Sequence, residues 1–193
     1  MAEQNYTIEL DLNELVTMVE NLVPYIYEDE LYGGITLRNA RLTPGSILLR
    51  LRRLQALRNQ LTEAQRAQLT TAENGYANVH KEWNVAFNKK LVRESESRLR
   101  DIQTFLSECK DDPKLCANAY MPEALRRTII AEIMDTLPTS DGHYETIKNE
   151  IRRVDGGLRR NVQEGEFIWA ETLRPIYPRE QYWWLYGRPA QPD

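Results

Sequence analysis

The sequence holds two cysteines and two histidines, and no apolar run in it nears the roughly 20 residues that span a bilayer. Cys109 and Cys116 are too few for a disulfide framework, and the six residues between them do not match the two-to-four spacing of zinc knuckles. The first five residues, Met1 to Asn5, lack the basic and apolar stretches of a secretory leader. These absences predict a cytoplasmic protein without a membrane segment, in which the thiols stay reduced as small buried hydrophobes. Their position at the two ends of one turn also makes them candidates to pair on oxidation. His80 and His143 belong to no His-Glu-x-x-His or Glu-x-x-His arrangement, and neither phosphate-binding glycine motif occurs. The acids Glu94, Glu96, Asp101 and Glu108 alternate with Arg93, Arg98 and Arg100, which reads as ion pairs on a wet face rather than a Mg²⁺ site. No catalytic residue, metal or cofactor is therefore expected.

Positive charge is missing from Met1 to Leu31, which carries eight acids and no Lys or Arg; from Thr36 to Leu61 there are six arginines and no acid. Blocks of opposite sign attract if they pack as neighbours, so an acidic helix against a basic one is the expectation. The functional alternative is an anion-binding surface made by Arg38, Arg41, Arg50, Arg52 and Arg53, with Gly33-Gly34 beside it as a backbone nest. The net charge of −4 argues against nucleic acid as the main partner.

At 193 residues the chain is long enough to bury roughly 70% of its unfolded surface, and one helical domain, 1–193, is the economical reading. Apolar residues recur every three or four positions, and the fold class is all-α: an antiparallel bundle of about five helices over roughly 10–30, 46–60, 62–109, 121–137 and 141–173. Asp11 and Glu14 suggest the first N-terminus, with Pro24 kinking or ending the regular part. Pro44 and Ser46 introduce the second helix. Thr62 and Gln65 have capping-box spacing, and Asn74-Gly75 is the weak spot of the long third helix. Pro113 ends that helix, Pro122 opens the fourth, and Ser140 or Asp141 caps the fifth. Gly156-Gly157 marks either a kink or a close approach by another element.

The tail, 174–193, concentrates aromatic rings, prolines and arginines. Trp183, Trp184 and Tyr186 with Arg179 and Arg188 have the composition of an interface hot spot, or of rings docked across the bundle as a plug. The leading functional reading is a non-enzymatic interaction or assembly component that contacts another protein or a second copy of itself. The alternatives are a nucleic-acid binder using Arg38 to Arg58 and the tail rings, and a small-molecule binder or enzyme with an interhelical pocket near Gly156-Gly157, His80 and Trp83.

Overall fold

Helical periodicity carries most of the chain into helices, whose limits a computed structural model gives for residues 3–35, 37 and 40–190. The chain divides into two compact units, Met1–Glu94 and Ser95–Asp193, and the division falls inside one helix. Among the described residues, seven α-helices and one small sheet make up the regular structure, together with short 3-10 turns.

The first unit contains α1 (Ile8–Glu20), α2 (Leu22–Tyr27), α3 (Pro44–Ala56), α4 (Glu63–Glu82) and the start of α5 (Asn84–Asp111). Thr7, not Asp11, caps α1, its hydroxyl accepting from the Leu10 amide. A short polar side chain at an extended residue does this better than an acid already inside the helix. That leaves Asp11 and Glu14 free to face inward. Pro24 falls in the first turn of α2, where its missing N–H costs nothing, and the chain breaks before it at Asn21. Thr43 rather than Ser46 caps α3, accepting from the Ser46 amide. The Glu94 carboxylate, fully buried on α5, accepts from the Thr43 hydroxyl at 2.6 Å and the Gly45 amide at 2.8 Å. An anion at the positive end of a helix is favourable, so this acid joins α5 to the start of α3.

The capping box of Thr62 and Gln65 forms as expected. The long helix then breaks at Trp83, not at Asn74-Gly75. Gly75 instead lets α1 approach α4, since a Cβ there would lie 2.7 Å from Val19 Cγ1. The interior of this unit is Leu12, Leu15, Met18, Leu22, Ile47, Leu54, Leu69, Phe87 and Leu91.

The expected attraction of acidic and basic blocks is realised inside this unit. Asp11, Glu14, Arg50 and Arg53 are all buried. Arg50 donates through Nε to Glu14 at 3.1 Å, makes a second, shorter contact with the same carboxylate, and donates to the Ser46 carbonyl. Asp11 lies 3.5 Å from Arg50 and 3.8 Å from Arg53. Burial raises the Asp11 pKa against the opposing pull of Arg53 and Arg50.

The second unit takes α5 from Ser95 onward, α6 (Pro113–Thr136), α7 (Tyr144–Asn161), β1 (Val162–Phe167), 3-10 turns at Glu171–Ile176 and Trp183–Leu185, and β2 (Tyr186–Pro189). Asp112 alone separates α5 from α6, and its carboxylate accepts from the Lys114 amide. The fourth helix thus starts at Pro113, and Pro122 lies within it rather than at its head. Buried Cys116 and Tyr120 hold the turn before Pro122, so packing offsets the hydrogen bond the proline removes.

The fifth helix stops at Asn161, and an antiparallel ribbon of β1 and β2 replaces the helical stretch expected to residue 173. Val162 pairs with Pro189, Glu164 with Gly187 and Phe167 with Tyr186, with an irregularity between Glu164 and Phe167. Gly187 has φ +155°, and a Cβ there would fall 2.1 Å from the Gln163 carbonyl, so only glycine fits. Gly157 marks a close approach rather than a kink, since a Cβ there would lie 2.5 Å from Leu106 Cδ1.

Replacing Arg50 by Met would leave Asp11 and Glu14 as buried acids short of a partner. Urea denaturation should show a loss of about 3–5 kcal/mol for Arg50→Met. A loss below about 1 kcal/mol would mean that the carboxylates find water.

Candidate functional site

Folding decides which of the candidate residues remain available at the surface. Arg50 and Arg53 are consumed inside the first unit and are not available to the alternative, a five-arginine anion surface. Arg52 is half-buried, Arg41 is exposed, and Arg38 lies outside the described residues. Gly33 donates to the Leu42 carbonyl and packs against Tyr25, as a turn does.

The loop following α2 closes over Lys90, whose ammonium donates to the Glu28 and Glu30 carbonyls and sits 3.8 Å from the Tyr25 ring centre. Burial lowers the Lys90 pKa, and burial likewise raises that of the Tyr25 phenol. His80 stacks on Tyr76 and meets the Phe87 edge, while His143 lies exposed beside Asp141. Among the described residues, no group of three or more His, Cys, Asp or Glu is placed to hold a metal ion.

The tail docks on its own unit. Trp169, Tyr177, Tyr182, Trp184 and Tyr186 are buried, in a run of mostly edge-to-face rings with centres 4.9–6.4 Å apart. Buried polar groups need partners, and α6 supplies three to the tail, two for side-chain tips and one for a backbone carbonyl. Tyr120 donates to the Trp184 carbonyl at 2.6 Å, the Trp184 indole donates to Thr128 at 3.0 Å, and Tyr182 donates to Glu132 at 3.3 Å. Arg127 lies 4.0 Å from the Trp184 ring centre and forms a two-pronged pair with Asp155 on α7, at 2.6 and 2.9 Å. Trp184 is therefore an interior residue and not a free contact surface, whereas Tyr186 keeps 9% of its surface exposed and lines a cleft. Trp183 is half-buried beneath Arg159, and Arg179 and Arg188 are exposed.

Cys109 and Cys116 form a disulfide across the α5–α6 turn, with Cα atoms 4.8 Å apart. The bond replaces the two small hydrophobes expected of reduced thiols. A loop this short removes roughly 2 kcal/mol of unfolded-chain entropy in the chain-entropy account.

Among the described residues, concave features of the second unit include a groove and a smaller cleft. The α5–α7 groove has a volume of about 520 Å³, an apolar floor of Leu106, Val154 and Gly157, and Lys110, Arg153 and Arg160 among its lining residues. A smaller cleft of about 140 Å³ brings Arg179, Trp183 and Tyr186 together with Arg159, Val162 and Glu164. Sequence reasoning missed Lys110, Arg153, Arg159 and Arg160. The one signal for the last two was the Arg159-Arg160 pair following Gly156-Gly157.

On α6, Glu123 is buried; Arg126 holds one of its oxygens and the other has no partner. Burial pushes its pKa up to about 7, with Arg126 pulling it down and Asp101 and Glu108 adding to the rise.

Among the described residues, no helix is long and apolar enough to cross a membrane. Comparison with known protein families, with curated proteins and with solved structures found no match.

Trp184→Ala should cost about 3–5 kcal/mol in denaturant unfolding, as for other large buried aromatics, and Trp183→Ala distinctly less because its ring is half-exposed. Equal small losses would show that the tail is not part of the core. For Glu123, a pKa raised on folding means that the native state holds the proton more tightly. Stability should therefore fall as pH rises from about 4.5 to about 7, by on the order of 3 kcal/mol from this group. Glu123→Gln should flatten that limb in denaturation curves taken across the range, and an unchanged slope would remove Glu123 as its source.

Proposed function

We propose that the protein is an interaction or assembly component, and that the α5–α7 groove is the face it offers to a partner. One observation supports this above the others: an apolar floor ringed by cations on a chain that is acidic as a whole. Leu106 and Val154 supply surface that gains from burial, while Lys110, Arg153 and Arg160 favour an acidic partner segment with apolar side chains facing the floor. Glu150 already pairs with Arg153, whereas no acid among the described residues pairs with Lys110 or Arg160. The partner is another protein or a second copy of the chain. Nucleic acid is less well supported, because Arg50 and Arg53 are paired and buried.

Purification from the native host, followed by mass measurement of the intact assembly, tests the reading. The wild type should carry a stoichiometric partner that Lys110→Glu/Arg153→Glu/Arg160→Glu loses while keeping its circular dichroism and thermal midpoint. A wild type recovered alone as a monomer, or a complex indifferent to the triple change, would refute it.

A further inference from the structure

The smaller cleft, separate from the α5–α7 groove, lies where the end of α7, the ribbon and the tail meet. Arg159 comes from the last turn of α7 and sits 3.9 Å from the Trp183 ring centre; Arg179 comes from the tail and sits 4.9 Å from that of Tyr186. A guanidinium held over a ring is steadied through its face, which leaves N–H donors at its edge for a ligand. Arg179 spends one donor on the Gly165 carbonyl at 2.8 Å. Its approach to Glu164 is 4.0 Å, the outer limit of an ion pair, and that glutamate side chain is 95% exposed. Among the described residues, no carboxylate pairs with Arg159. The cleft therefore holds two cations against one loosely held acid.

Charge and size together select the ligand. The C-terminal end of α7 contributes roughly half a negative charge, which two guanidinium groups outweigh. A volume of about 140 Å³ exceeds several waters at roughly 30 Å³ each, yet falls short of the roughly 300 Å³ at which pockets for drug-sized molecules begin. One charged headgroup and a short stem fit inside the cleft, and the remainder of a larger ligand lies outside it. Guanidinium forks match the spacing of oxygens in carboxylates and phosphates, and the two rings supply a surface for the stem.

We propose that this cleft binds an oxyanion group, the terminal carboxylate or phosphate of a larger ligand, held between Arg159 and Arg179 with its stem against Trp183 and Tyr186. Because three of these four residues belong to the tail, docking of the tail assembles the site. Glu164 is the acid that an incoming anion displaces from Arg179.

Titration of the full chain with sodium phosphate, and separately with sodium acetate, at constant ionic strength tests this by two-dimensional NMR of the Gly165 and Gly187 amides and the Trp183 indole. At least one probe should give saturable shifts at these positions. Arg159→Gln and Arg179→Gln should each weaken binding about tenfold, Arg159→Lys should weaken it as well because an ammonium lacks the fork, and Arg160→Gln should leave it unchanged. A stronger response to phosphate identifies a phosphate ester, and a stronger response to acetate a peptide or small-molecule carboxylate. Both arginines are exposed, so the variants should keep the wild-type thermal midpoint, and if one fails to fold the other decides. Shifts that stay linear with both probes, or that saturate equally in wild type and in both Gln variants, would overturn the assignment.

Discussion

Trp184 is the residue on which the second unit depends. Its carbonyl takes the Tyr120 phenol, its indole N–H reaches Thr128, and its ring lies against Arg127, which in turn grips Asp155. One residue near the end of the chain is thereby bonded to α6 and, through Arg127, coupled to α7. A large ring is buried at low cost only when its polar edge has a partner, and here both the indole N–H and the carbonyl of Trp184 are satisfied. The ribbon of β1 and β2 is only two strands wide and would be marginal in water without such support. With Trp184 anchored, Tyr186 starts β2 in register with Phe167, and Trp183 is left half-exposed under Arg159. The cationic cleft is thus a product of how the tail is seated.

The first unit meets a related constraint with different groups. Its acidic and basic blocks cancel by placing Arg50 and Arg53 beside Asp11 and Glu14, out of water. Ion pairs so buried contribute little net stability compared with apolar packing of the same volume, but removing one member leaves the others uncompensated. The cluster therefore acts chiefly to fix how α1 meets α3. Glu94 has a comparable role at the head of α3, where its carboxylate satisfies an amide the helix cannot. In both units polar groups fix the register, while apolar side chains provide most of the driving force.

The helices were legible because Leu, Ile and Val at spacings of three and four have few other ways to leave water; Leu54, Ile102 and Val154 are indeed buried. The capping box at Thr62 and the pairing of charge blocks were legible for equally local reasons. What stayed hidden was tertiary. β1 reads Val-Gln-Glu-Gly-Glu-Phe with four consecutive exposed residues, so it has neither the alternation of a half-buried strand nor an apolar run. Gly75 looked like a break, yet it answers to Val19, more than fifty positions away. Pro122 looked like a helix start because the contacts that carry α6 through it come from Tyr120 and the tail. The same distinction governs the site. The tail rings announced themselves by composition, whereas Arg159 acquires its meaning only when Trp183, twenty-four positions later, folds beneath it.

Native-state hydrogen exchange followed residue by residue tests most directly whether the tail is integral to the fold of residues 95–193. The Ile168 amide is bonded to the Leu185 carbonyl and the Tyr182 amide to that of Pro178. Both should open with the same free energy as the Ile130 amide in the middle of α6, as parts of one cooperative unit do. Exchange of the Ile168 and Tyr182 amides at the rate of an unstructured peptide, while Ile130 stays protected, would contradict the account and return the aromatic tail to the solvent.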